Sequence, residues 1–140
     1  MQIYDENLYY TKYGIELNEY KIHQFVYNLQ IVNIPKIVHY DKQTKTMVMN
    51  KINGLSFSDE FGELPEDISN AIFERIRDVI KILVLHNIQY VDITGYNFIL
   101  DKNNILWIID FEHATYNDRI TDDFILRFIC GENSWNPEFA

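Results

Sequence analysis

Cysteine is nearly absent: Cys130 is the single one in 140 residues. No disulfide can close within these residues, and no cysteine-based zinc site can form. Glycine is scarce too, 5 in all, and none falls in a Gly-x-Gly-x-x-Gly pattern, so no glycine-rich phosphate cradle is expected. Positive charge is in short supply, with 12 Lys and Arg against 21 Asp and Glu and a net charge of −9. A generic nucleic-acid binder is basic, so no nucleic-acid partner is expected. No apolar run approaches membrane-spanning length, and no membrane partner is expected. The opening residues Met1 to Glu6 lack the basic and apolar regions of a signal peptide.

Hydrophobic residues make up 47% and aromatic residues 15% of the chain, which excludes disorder and supports one domain with a real core. Asn, Ile, Tyr and Lys are abundant while Ala is rare, the bias that A/T-rich genomes produce, those of some large DNA viruses among them. The expected location is cytoplasmic, the host cytoplasm if the source is viral.

The stretch Ile3 to Gly14 alternates weakly and has room for one or two short strands. From Glu16 to Leu29 the pattern is helical, with Leu17, Tyr20, Phe25, Val26 and Leu29 near one face. Ile37–Tyr40 and Thr46–Met49 read as a hairpin around the polar turn Asp41 to Lys45. Asn53-Gly54 and Gly62 punctuate a linker. Pro65-Glu66-Asp67 then opens a long helix whose apolar stripe includes Ile68, Ile72, Ile76, Ile80 and Leu83. A short helix over Thr121 to Ile129 and an aromatic end with Trp135 and Phe139 close the sequence. No repeat and no low-complexity tract interrupts it.

The chemistry concentrates after the long helix. Asp92 is followed five residues on by Asn97. Phe98-Ile99-Leu100, a polar turn and Ile105–Ile109 form a second hairpin, which delivers Asp110-Phe111-Glu112. Each polar residue has a plain local alternative: Asp92 and Asp110 as turn caps, Asn97 as a partner for loop backbone. The conjunction of both spacings, the hairpin and the apolar helix before them resembles the catalytic loop and metal-binding segment of the protein-kinase-like superfamily. The resemblance spans Glu16 to Ala114.

The resemblance implies that Asp92 accepts or orients the proton of the acceptor hydroxyl, that Asn97 and Asp110 hold Mg²⁺ or Mn²⁺, and that ATP is the nucleotide. By the same resemblance, Lys12 would be the phosphate-binding lysine and Glu19 its helix partner; the bland alternative is two solvated surface charges. Met49 to Gly54 resembles the hinge where adenine meets backbone groups, with Met49 and Lys51 beside it; an ordinary edge strand and turn is the alternative. The wording departs from ordinary protein kinases. Tyr90-Val91 precedes the catalytic-type Asp92, Thr94 stands where a lysine is usual, and Glu112 replaces the glycine of Asp-Phe-Gly. Asp92-Ile93-Thr94 is more similar to small atypical kinases of the RIO type. His23, His39, His86 and His113 show no metal spacing and read as packing or capping residues. Ser56 and Ser58 lack a nucleophile-elbow context.

The expectation is therefore an α+β chain, a truncated protein-kinase-like fold in one domain. Residues 1–52 would form a reduced N-terminal lobe and 53–140 a minimal helical C-terminal lobe. The function expected is transfer of the ATP γ-phosphate to a hydroxyl on a protein Ser/Thr or a small alcohol or sugar. A pseudokinase that binds nucleotide or a partner without catalysis is the alternative, and an unrelated interaction protein a third. The aromatic tail is expected to fold over the long helix, with any uncovered remainder buried in a homodimer or against a partner.

Overall fold

The computed structural model describes residues 4–62 and 64–139; Ile3, at the start of the Tyr-rich stretch, lies outside them. That stretch forms one strand, β1 (Tyr9–Lys12). Gly14 then adopts φ +72, a backbone turn that glycine makes without a Cβ penalty, and α1 (Leu17–Leu29) begins. The expected hairpin is present as β2 (Ile37–Asp41) and β3 (Thr46–Asn50). All pairings are antiparallel, and β3 sits centrally in the order β1-β3-β2. The Asp41 carboxylate accepts from the backbone of Gln43 and Thr44, which closes the turn.

The buried face of α1 differs from the one expected. Glu19, Ile22, His23 and Val26 point inward, an i, i+3, i+4, i+7 set. Leu17, Phe25 and Leu29 remain partly exposed. Two polar contacts outweigh apolar periodicity here: Glu19 meets Lys12 of β1, and the His23 Nε2 meets the Pro35 carbonyl at 2.7 Å. Each holds that face of the helix inward, because burying a polar group costs far less when it has a partner.

The expected linker is in fact structured. β4 (Gly54–Ser56) pairs with β6 (Phe98–Asp101), and β6 pairs with β7 (Leu106–Ile108). α2 (Phe57–Phe61) follows β4 directly, capped by Ser56, whose Oγ accepts from the Asp59 amide. Pro65–Asp67 is a separate 3₁₀ turn and not the start of the long helix. Ile68 is extended, and Ser69 caps α3 (Asn70–Leu85) by accepting from the Ile72 amide. A serine cap satisfies an amide that the proline turn leaves open. Two short strands, β5 (Ile88–Gln89) and β8 (Thr115–Tyr116), pair with each other. The expected tail helix is α4 (Asp123–Ile129), capped by Asp122.

The main core gathers Phe73, Ile76, Ile80 and Leu83 of α3, Phe98 of β6, Phe111, and Ile125 and Phe128 of α4. Truncating any of the fully buried aliphatics to alanine would cost about 2–5 kcal/mol. The tail folds over the long helix as expected. Trp135 packs on Phe73 at 4.8 Å between ring centroids and on Phe98 at 6.3 Å. Arg77 anchors it by donating to the carbonyls of Phe128 at 2.8 Å and Asn133 at 3.1 Å. A second cluster, Ile15, Met47 and Met49, sits beneath the first sheet. Asn33 ties the two sheets' surroundings together: its carbonyl accepts from the Ile108 amide, and its side chain donates to the Leu106 carbonyl. Among the described residues no helix is long and apolar enough to cross a membrane.

Candidate functional site

Three elements deliver one charged cluster. Lys12 ends β1, Glu19 lies one turn into α1, and Asp110 follows β7. The Lys12 Nζ stands 3.0 Å from Glu19 Oε2 and 3.1 Å from Asp110 Oδ2. Lys12 and Glu19 are therefore an ion pair and not two solvated charges: Glu19 is buried, 5% exposed, and Lys12 is half-buried. Burial pulls the Lys12 ammonium down, but the Asp110 and Glu19 carboxylates more than offset it and hold it above the ordinary lysine value. Burial lifts the Glu19 carboxyl above the ordinary carboxylate value, against the pull of Lys12. A single ammonium shared by two carboxylates leaves net negative charge at the spot, which suits a cation arriving with a polyphosphate.

A cavity of about 380 Å³ opens beside this cluster. Lys12, Met49, Lys51, Asn97 and Asp110 line it, with Ile99 and Ile109 as an apolar wall. Such a mix of apolar wall and few convergent polar groups is typical of small-ligand sites. A larger hollow, about 990 Å³, lies over the outer face of the first sheet among Tyr9, Tyr13, His39 and Thr46. It reaches Lys51 but not Lys12, Asn97 or Asp110. The charged side chains Lys12 and Asp110 converge at the smaller cavity.

The Asp92–Asn97 loop is wound on itself. Thr94 N donates to the Asp92 carbonyl at 3.0 Å, and Asn97 Nδ2 donates to the same carbonyl at 2.8 Å. A carbonyl only accepts, so the amide nitrogen of Asn97 must face it. The Oδ1 atom is thereby left as the group that can meet a cation. The Asp92 carboxylate does not line the cavity; its Oδ2 meets His113 Nδ1 at 3.0 Å. Glu112 N donates to Asp110 Oδ1 at 2.8 Å, so the residue after Phe111 bonds the carboxylate through backbone alone. Hard oxygen donors from Asn97 and Asp110 fit Mg²⁺ or Mn²⁺, which keep several waters and take only one or two carboxylates. No cluster of three or more His, Cys, Asp or Glu with metal-holding geometry occurs among the described residues.

The structure adds residues that sequence reasoning passed over. The Tyr90 hydroxyl donates to the Asp110 carbonyl; burial pushes its phenol well above the usual value, so it stays protonated and can donate. Asn136 reaches back 45 residues, its Nδ2 donating to the Val91 carbonyl and its backbone amide to the Ile93 carbonyl, each at 2.8 Å. It clamps the backbone on both sides of Asp92. His113 was read as packing or capping; it instead contacts Asp92, and that bond raises its pKa. Its place three residues after Asp110 was the one signal available. Asn136 had none.

No family model matches the chain. CBL-interacting serine/threonine-protein kinase 9 of Arabidopsis thaliana is 25% identical over 88 residues, which is 61% of this chain and 20% of that protein. The solved structure of the Cydia pomonella granulovirus kinase PK-1 superposes with a TM-score of 0.56 at 17% identity, covering 82% of this chain and 46% of that one. The chain thus spans a fifth of the plant kinase it matches and under half of the viral one. It has a mixed α/β fold of the protein-kinase-like kind.

Proposed function

We propose that the chain is a kinase-like phosphotransferase that moves the γ-phosphate of ATP to a hydroxyl, with Mg²⁺ or Mn²⁺. The observation that carries this reading is the Lys12 ammonium, held 3.0 Å from Glu19 and 3.1 Å from Asp110 at the wall of the cavity that Asn97 also lines. Lys12 would grip the phosphates, Glu19 would hold Lys12 in place, and Met49 and Lys51 would flank the base. Asn97 and Asp110 would hold the cation, which when bound supplies the charge that offsets the phosphates. Asp92 would orient the acceptor hydroxyl, on a protein Ser/Thr or a small alcohol or sugar. Asp92-Ile93-Thr94 favours the small atypical branch of such enzymes.

A pseudokinase is the second reading. It is favoured by the internal partners of the polar groups: Lys12 holds Asp110, and His113 holds Asp92. Calorimetry with Mg·ATP, followed by a phosphate-transfer assay, separates the two. Asp92→Asn should keep nucleotide affinity and lose transfer by orders of magnitude. Binding without transfer or hydrolysis in the wild type selects a nucleotide-binding pseudokinase; no binding removes the phosphotransferase and leaves a partner-binding module.

A further inference from the structure

The loop around Asp92 carries no cationic side chain of its own. Thr94 occupies the position two residues on, 2% exposed, and a hydroxyl cannot carry charge. The ionisable neighbour of Asp92 comes from outside the loop. His113 Nδ1 lies 3.0 Å from Asp92 Oδ2. A carboxylate accepts only, so Nδ1 carries the hydrogen and Nε2 is the ring's free acceptor. The His113 side chain is 44% exposed and that of Asp92 12%. The buried partner therefore fixes the ring, and the side chain keeps enough exposure to meet a second molecule. The Phe139 ring packs on His113 with centroids 4.9 Å apart, a second constraint on its orientation. The Asn136 clamp holds the backbone on either side of Asp92.

We propose that His113 and Asp92 work as one unit, in which His113 Nε2 takes the proton of the acceptor hydroxyl while Asp92 fixes the ring. This rests on the phosphotransferase reading and names the destination of the proton within it. The hydroxyl oxygen forms the new bond to the γ-phosphorus as its proton moves to Nε2. The bond from that phosphorus to the bridging oxygen breaks, and its electron pair leaves on the nucleoside diphosphate. The imidazolium, paired with the Asp92 carboxylate, returns its proton to solvent. Histidine suits the task because its ordinary pKa near 6.5 lets it take and release a proton at neutrality. The bond to Asp92 is the largest influence on its titration and raises it, burial opposes, and the Asp92, Glu112 and Asp110 charges add to the rise.

Two measurements on the 140-residue protein test the assignment. The first is imidazole NMR of the wild type and Asp92→Asn. The wild-type His113 should carry its proton on Nδ1 and titrate above 6.5, and the variant should bring it down. The second is the pH profile of γ-phosphate transfer from Mg·ATP, with water and a Ser/Thr peptide library as acceptors. The wild-type rate should climb through the His113 pKa and level off above it. His113→Gln should lose that limb and about 10²–10⁴-fold in rate. His113→Ala should recover part of the rate with added imidazole, which a packing role would not produce. Transfer by His113→Gln at the wild-type rate and with the same pH limb overturns the base assignment and leaves the phosphotransferase standing. An Nδ1 without a proton overturns it as well. A wild type that binds Mg·ATP but transfers to neither acceptor, nor to a panel of small alcohols and sugars, overturns the phosphotransferase reading, and the base with it.

Discussion

Lowering the pH from neutrality in the wild type and in His23→Gln isolates the effect of one buried ring, His23. Its Nε2 donates to the Pro35 carbonyl at 2.7 Å, so the hydrogen sits there and Nδ1 is bare. Nδ1 is buried without a partner, and the ring packs against Phe111 at 5.5 Å between centroids. Protonation would place a charge where no group can accept its hydrogen. Burial accordingly lowers the pKa from 6.5 to about 4, with the Pro35 bond opposing. The folded value lies below the unfolded one, so the unfolded chain takes up the proton first. Stability is then intact above 6.5 and falls as the pH drops towards 4. Linkage puts the loss at about 2 kcal/mol between pH 7 and 5 and about 3 kcal/mol by pH 4. His23→Gln keeps an amide donor for Pro35 and has no proton to gain. Urea unfolding of both proteins across this range should show the wild type losing stability more steeply by that amount. Parallel curves would refute the argument that Nδ1 is a bare, buried atom.

Asp110→Ala should abolish the metal-dependent part of Mg·ATP affinity in calorimetry while the fold persists; unchanged affinity would remove Asp110 from the site. Trp135→Ala should cost about 3–5 kcal/mol in chemical denaturation, because Trp135 is 9% exposed and packs between Phe73 and Phe98. A change below 1 kcal/mol, roughly the scatter of surface substitutions, would show that the tail does not seal the core. Gly95→Ala would set a Cβ 2.5 Å from Ser58 Oγ and 3.2 Å from Ser58 N. It should cost about 1–3 kcal/mol in thermal or urea unfolding. Adding Ser58→Ala should return part of that loss, and a double variant no better than the single would place the strain elsewhere.

The patterns that depend on neighbours in sequence were legible without a structure. The hairpins β2–β3 and β6–β7 show as apolar runs around polar turns, and α1 as a helical period. Asp92, Asn97 and Asp110 stand out because one loop and one hairpin fix their spacing. Lys12 and Glu19 are only seven residues apart, a spacing that by itself spoke against their pairing; the resemblance implied it, and the turn at Gly14 brings the two side chains together. The boundaries were less legible. Pro65-Glu66-Asp67 has the signature of a helix start, but Ser69 provides the cap, and local signals cannot rank two competing starts. β4 has three residues, too few for alternation to register, and exists because β6 lies ready to pair with it.

Other features were decided only when distant segments met. The inward face of α1 follows Glu19 and His23, whose partners Lys12 and Pro35 lie on other elements; apolar periodicity alone pointed elsewhere. The contact of His113 with Asp92 and the grip of the Asn136 side chain on Val91 join groups 21 and 45 residues apart. A hydrogen bond between remote side chains leaves no periodic trace in the chain, since it needs only one residue on each side at the right place. Hydrophobic spacing is repeated along an element and survives as a pattern. By itself, then, the sequence determined the longer helices, the two hairpins and the three polar positions of the loop and the strand end. The tertiary structure decided which polar group faces which, because burial demands a partner and packing selects it.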